Sequence, residues 1–282
     1  MAIPLKYNIR SLLVRRISTA MTGGGIALVV AVFVIVMALV AGLNSAISDT
    51  GDPDNLIVLR KGATTETYSA VQIDQFDAMK FLPQIRREAD GSVDASPELP
   101  VQALMERIGG GRDNIVIRGV LPIALKVHQK VHIAEGRMFN PSVNEVIVGK
   151  GLLGHYKNMA LGSTLHFGRS NWRVVGIMSA DGGSFESEVW GDIHNVQTDA
   201  QRGAYYADVR LKLAPGADSA ALVNRLADDP RINLQGETEP EYYKDQAVVA
   251  NQMRVLGLVV AVIAASVRAG SLGLKPRRLV PP

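Results

Sequence analysis

The chain has 282 residues, 47% of them hydrophobic and 20% charged, with no cysteine and a formal net charge of +3. The lack of cysteine excludes disulfides and thiolate-ligated metals, and the length suffices for one or two domains. The excess of positive charge is confined to the ends and is no nucleic-acid footprint. Lys6, Arg10, Arg15 and Arg16 precede the first carboxylate, Asp49; Arg254, Arg268, Lys275, Arg277 and Arg278 follow the last, Asp245; the middle is left with 21 basic residues, 27 acidic ones and a net charge of −6.

Residues 1–22 form a basic segment in which Leu5, Ile9, Leu12, Leu13 and Ile17 recur at helical spacing. This pattern predicts an amphipathic helix over 5–18, read equally as an interfacial helix on the cytoplasmic leaflet of a bilayer or as a simple topology signal preceding an anchor. Residues 23–43 (GGGIALVVAVFVIVMALVAGL) carry no charge and no proline. At about 1.5 Å per residue such a helix is about 30 Å long, the thickness of a hydrocarbon core. The run is longer than a secretory h-region, the segment before it is long, and no clean small-x-small cleavage site follows, so an uncleaved transmembrane helix is predicted over a cleaved signal peptide. Four basic residues before it and Asp49, Asp52 and Asp54 after it place the N-terminus in the cytoplasm and the following domain outside.

Residues 44–239 read as an extracytoplasmic domain of mixed α+β class. Asn55–Arg60 predicts a strand, and Ser69–Phe81 a helix with Ser69 as N-cap and Gln72 in a capping box. Val101–Arg107 and Ile115–Val120 predict a hairpin around Gly109-Gly110-Gly111. Val127–Ile133 alternates and predicts a strand, as does Glu145–Val148. Gly149–Asn158 reads as a short helix or turn. Thr164–Phe167 and Trp172–Met178 predict a second hairpin, and Ala204–Leu213 a strand. Asp218–Ala227 predicts a helix capped by Asp218, and Ile232–Leu234 a short strand. The hairpin-rich stretch 92–180 looks inserted between helix-bearing ends, which predicts two lobes. Residues 240–267 begin polar and turn apolar without a break, as in a stalk helix that enters a membrane. Its apolar part, Val255–Val267, is too short to span alone, and a basic, proline-containing tail follows over 268–282.

Several motifs suggest chemistry and then fail on context. Gly149-Lys150-Gly151-Leu152-Leu153-Gly154 is a G-x-G-x-x-G after a strand, but no long helix follows and no carboxylate appears until Asp181. His128 and His132 have H-x-x-x-H spacing, but Gln129 stands where a metalloprotease needs Glu. Glu186, Glu188 and Asp192 cluster around Trp190 without the spacing of a calcium loop, and read as a loop pinned by a buried Trp. His155, His166 and His194 are isolated. Neither G-x-x-x-x-G-K-[ST] nor G-x-S-x-G occurs. The sequence therefore predicts no catalytic residue, no cofactor-binding residue and no metal ligand; the chain is expected not to be an enzyme.

The order of basic helix, membrane helix, outer domain and returning helix resembles the permease subunits of MacB, LolC and FtsX type (type VII) ABC transporters. KYNIRSLLVRR, GDPDNLIVLRKGA, GRMFN with NEVIVGKGLLG, and WRVVGIMSADGGSFESEVWGD resemble the MacB-type periplasmic core, and the resemblance runs from about residue 5 to 263. It implies a cytoplasmic ABC ATPase subunit, a second permease copy and a periplasmic adaptor protein as partners, besides the lipid bilayer, and a place in the bacterial inner membrane. It also implies four membrane helices. The pattern is lost after about Ala265, so the chain reads as truncated or frameshifted in the second. The alternative is a single-span anchor displaying a binding or scaffolding domain, without transport.

Overall fold

The structure is a computed structural model and describes residues 51–246, together with residues 17, 27, 30–38, 41 and 42. The chain divides into two units, Met1–Ser45 and Ala46–Pro282. In the first, residues 30–38 are helical, and Val30, Val32, Phe33, Val34, Ile35 and Met37 are exposed. No helix among the described residues is long and apolar enough to cross a membrane. The expected helix over 5–18 lies outside the described residues, apart from residue 17, and so does everything expected of 247–282.

The second unit is built on one ten-stranded mixed sheet, which bears out an α+β domain. Its strands are β1 (Asn55–Arg60), β3 (Ala95–Glu106), β4 (Arg112–Val120), β5 (His132–Gly136), β6 (Glu145–Gly149), β7 (Thr164–Phe167), β8 (Ser170–Ser179), β9 (Glu188–Asp192), β11 (Asp208–Lys212) and β12 (Leu234–Thr238). Their order is β12-β1-β11-β3-β4-β9-β6-β8-β5, with β7 also paired to β8. The pairs β4–β9 and β6–β8 are parallel and the rest antiparallel. A separate two-stranded ribbon joins β2 (Val71–Gln72) to β10 (Tyr205–Tyr206). The two expected lobes correspond to two halves of one continuous sheet path, joined where β3 pairs first with β11 and then with β4.

Strand alternation sends successive side chains to opposite faces. One face is aliphatic: Leu56, Val58, Leu99, Val101, Ile117, Val146, Val148, Val189, Val209 and Leu211 are buried there. Phe76 and Met79 of α1 (Ile73–Met79), Ile193 and Val196 of α3 (Ile193–Asp199), and Leu222 and Leu226 of α4 (Ser219–Asp228) belong to the same cluster. Each such side chain contributes about 1.5–3 kcal/mol on burial. The other face holds Ile57, Leu59, Ile147, Met178 and Trp190. It is covered by α2 (Ala124–Val127), Phe185, and Tyr242 and Tyr243 of a helix described over residues 239–246.

Several local expectations need correction. Ser69 is not the cap of α1: its hydroxyl accepts from the Arg60 N–H at 2.9 Å, and the box is made three residues later by Gln72 and Gln75. Val127–Ile133 is not a strand; Val127 ends the short helix α2, and β5 begins at His132. Ala204–Leu213 is broken at Ala207 into β10 and β11, which join different sheets. Asp218 does cap α4, accepting from the N–H groups of Ala220 and Ala221.

Candidate functional site

Strand β11 reads Asp208-Val209-Arg210-Leu211-Lys212. Alternation sends Val209 and Leu211 into the aliphatic face and the three charged residues to the other. A solvated polar face would be ordinary, yet Asp208 and Arg210 are 0% exposed and Lys212 only 2%. Charges are removed from water only when paired and hydrogen-bonded. The register provides the partners: Asp208 lies opposite Glu98, and Arg210 opposite Ser96.

Arg210 is the hub. Its Nε donates to Asp208 Oδ2 at 2.9 Å, and Nη1 donates to Glu239 Oε1 at 2.6 Å and to the Tyr243 hydroxyl at 3.0 Å. Nη2 donates to Glu66, whose other oxygen accepts from Arg118 Nη1 at 3.1 Å. Arg118 grips Glu188 with two parallel bonds of 2.7 and 2.8 Å, and donates to Glu98 at 2.9 Å. Glu98 meets His128 Nε2 at 2.6 Å, and Glu188 also accepts from Trp190 Nε1 at 2.9 Å. His128 packs against Phe185 and Trp190, with ring centroids 4.7 and 5.3 Å away.

The network fixes its own ionisation. Burial alone would raise Glu98, but His128, then Arg118 and Arg210, outweigh it and hold the group below the usual carboxylate range. Burial likewise opposes charge on Arg118, and Glu188, Glu66 and Glu98 overcome it. Burial pushes the Tyr243 hydroxyl well up, so it stays neutral.

The same network holds the two chain ends of the domain together. Glu239, the first residue of the helix over 239–246, accepts from the Asp52 N–H at 2.9 Å and from Asn55 Nδ2 at 3.4 Å. Gly51 makes this contact possible, because a Cβ there would lie 3.0 Å from the Glu239 carbonyl carbon and from the Pro240 nitrogen. Lys212 donates to Asp52 at 3.2 Å and Lys130 to the Gly51 carbonyl at 3.1 Å. Further along the helix, the Tyr242 hydroxyl accepts from the Glu66 N–H at 3.3 Å and Gln246 donates to the Thr64 carbonyl at 2.6 Å.

The motifs singled out in the sequence have structural employment. Lys150–Leu152 is a single 3-10 turn, not the start of a long helix. Gly149 is glycine because a Cβ would lie 2.2 Å from the Glu186 carbonyl oxygen. Glu186 itself accepts from Ser179 Oγ, and from the N–H groups of Ala180 and Gly182, at 2.8–3.0 Å, with Lys150 Nζ at 3.0 Å. Burial works against its charge, but the two backbone donors, Lys150 and Ser179 prevail and hold it at about 2. Glu188 belongs to the Arg118 network, and Asp192 caps α3. The three acids therefore do three separate jobs. His128 is buried while His132 is exposed on β5, and His155, His166 and His194 are all exposed. Among the described residues no group of three or more ligating side chains could hold a metal ion.

The residues not anticipated were Arg118, Arg210, Glu98, Glu66 and Glu239. Of these only Arg210 and Glu98 leave a visible trace, the alternation Asp208-x-Arg210-x-Lys212 on β11 and Ser96-x-Glu98 on β3, just after Asp94.

A family model described as the MacB-like periplasmic core domain matches residues 19–229. The fold is similar to that of the periplasmic region of MacB from Actinobacillus actinomycetemcomitans, at 13% identity and a TM-score of 0.50, over 68% of this chain and 92% of that one. The extracellular domain of the noncanonic ABC-type transporter YknZ from Gram-positive bacteria aligns at 12% identity and a TM-score of 0.46, over 65% of this chain and 97% of that one. No curated protein matches the chain.

Proposed function

The chain belongs to the family of the MacB-like periplasmic core domain, a family of ABC transporter permeases, and from that premise we propose that it couples ATP hydrolysis by a separate cytoplasmic ATPase to movement of an extracytoplasmic domain. It acts as a permease subunit of an exporter or mechanotransmission complex, paired with a second permease copy, and supplies no catalytic, cofactor or metal chemistry itself. Residues 23–43 serve as the first membrane helix with the N-terminus in the cytoplasm. The charge split between residues 1–22 and the acidic middle supports that orientation. Exposed apolar side chains from Val30 to Met37 support a lipid environment, since a helix apolar all round has no face to give to water.

The joint at Glu239 carries this reading. The segment that follows the first apolar run, at Asp52, and the helix that leads toward the second, from Glu239, meet on one carboxylate tied to Arg210 in the sheet. A pull or tilt on either segment reaches the sheet through buried, charge-assisted bonds rather than through a loop. The test uses the full chain in its native membranes. ATP is expected to change amide hydrogen exchange over residues 239–246, and Glu239→Gln to reduce that response while the chain still co-purifies with ATP-hydrolysing activity. A chain isolated without any such activity, and with exchange indifferent to ATP, overturns the proposal.

A further inference from the structure

Asp208 is fully buried in the middle of the ionic face, and only half of its carboxylate is engaged. Oδ2 accepts from Arg210 Nε, while Oδ1 meets no hydrogen-bond partner. An ionised oxygen left bare in the interior forfeits its hydration with nothing in return. The groups facing Asp208 come from every element around it: Arg210 on its own strand, Glu98 on β3, Arg118 on β4, Glu66 on the 3-10 turn Glu66–Tyr68 and Tyr242 on the helix over 239–246. His128, Glu188, Glu239 and Tyr243 complete the network.

Around Arg118 and Arg210 five carboxylates (Glu66, Glu98, Glu188, Asp208 and Glu239) face two guanidinium groups and one imidazole, and the adjoining Asp52–Lys212 pair adds no net charge. Negative charge is in excess even with His128 protonated. Glu66 and Glu98 each have a donor on both oxygens, as do Glu188 and Glu239. Asp208 alone of the five has a bare oxygen. The geometry points to Asp208 as a neutral carboxylic acid that keeps its proton while the helix over 239–246 is seated and releases it when that helix lifts away. On release the O–H bond breaks, the proton passes to water admitted to the site, and Arg210, already bonded to Oδ2 and now freed from Glu239 and Tyr243, stabilises the new carboxylate.

Burial, and then the neighbouring Glu66, raise Asp208 well above the ordinary range, against the opposing pull of Arg210. The seated form therefore binds the proton more tightly, so seating strengthens as pH falls and weakens as pH rises through the seated value. That mechanical consequence rests on the coupling role proposed above; the proton itself does not.

Infrared difference spectroscopy of the full chain, wild type minus Asp208→Asn in neutral buffer, tests the proton. A protonated-carboxyl C=O band that is present in the wild type and missing from the variant is expected; no such band overturns the inference, whatever the ATP response proves to be. Amide exchange over residues 239–246, corrected for intrinsic rate, tests the linkage. Protection is expected to fall from mildly acidic to mildly alkaline buffer in the wild type and to stay level in Asp208→Asn; equal slopes in both overturn it. Where Asp208→Asn does not fold, the wild type decides: the carboxyl band must vanish with rising pH in step with the loss of protection, and a band absent at every pH refutes the assignment.

Discussion

Along β1 and β11 both faces of the central sheet are buried, by opposite chemistry. Behind Leu56, Val58, Val209 and Leu211 the layer is aliphatic and closed by three short helices. Behind Ile57, Leu59, Asp208, Arg210 and Lys212 it holds a chain of ion pairs and the first turns of the helix from Glu239. An aliphatic layer is tolerant and non-directional, because its stabilisation follows the area removed from water. An ionic layer is weak evidence for stability, since desolvation offsets much of the attraction, but it is intolerant of a missing partner. The difference teaches where each belongs: the aliphatic face keeps the domain together, and the ionic face sets where the helix over 239–246 sits.

Removing the hub separates the faces most sharply. Arg210→Met strands Asp208, Glu66 and Glu239, and is expected to cost about 3–5 kcal/mol in denaturant unfolding of the full chain. Adding Glu239→Gln should recover part of that loss; strict additivity of the two would show the pair to be uncoupled. Leu222→Ala, on the aliphatic side, is expected to cost about 2–4 kcal/mol through a cavity under α4. Its cost should be the same in acid as at neutral pH; a pH-dependent loss would break the distinction between the faces.

Two smaller substitutions sharpen it. Glu186→Gln weakens the donor cage over the 180–187 turn and is expected to cost about 1–2 kcal/mol at neutral pH. The folded carboxylate is held at about 2, below its unfolded range. Its contribution is thus complete above about pH 4.3 and fades as pH falls toward the folded value, so the wild type and the variant should converge in strong acid. Asp218→Ala removes the cap of α4 and is expected to cost about 1 kcal/mol in thermal unfolding. A loss several times larger would place α4 in the ionic network instead of the aliphatic one.

The sequence made local order legible and long-range pairing illegible. The hairpin of β3 and β4 was readable because its glycine-rich loop and flanking β-formers are adjacent in the chain. The cap at Asp218 was readable for the same reason. By contrast, Glu188–Asp192 is a wholly buried strand, though its acids suggested a loop. Its burial depends on Arg118, seventy residues away. Val127–Ile133 misled because apolar spacing in so short a run fits a helix end and a strand equally well. The buried face of β11 shows the limit most clearly: charge at alternate positions is the pattern of a solvated strand edge, and only the register against Glu98 turns it into an interior.

The contact between Asp52 and Glu239 has a bearing on how such a protein is assembled over time. To the flanking segments, everything from residue 52 to residue 239 is a detour that begins and ends within one hydrogen bond of 2.9 Å. A domain whose ends meet in this way is an insert: loops far from the joint can be lengthened or exchanged without altering the spacing of Asp52 and Glu239, provided that the residues holding Glu239, Arg210 above all, are kept. The rest of the domain is free to diversify around a fixed joint.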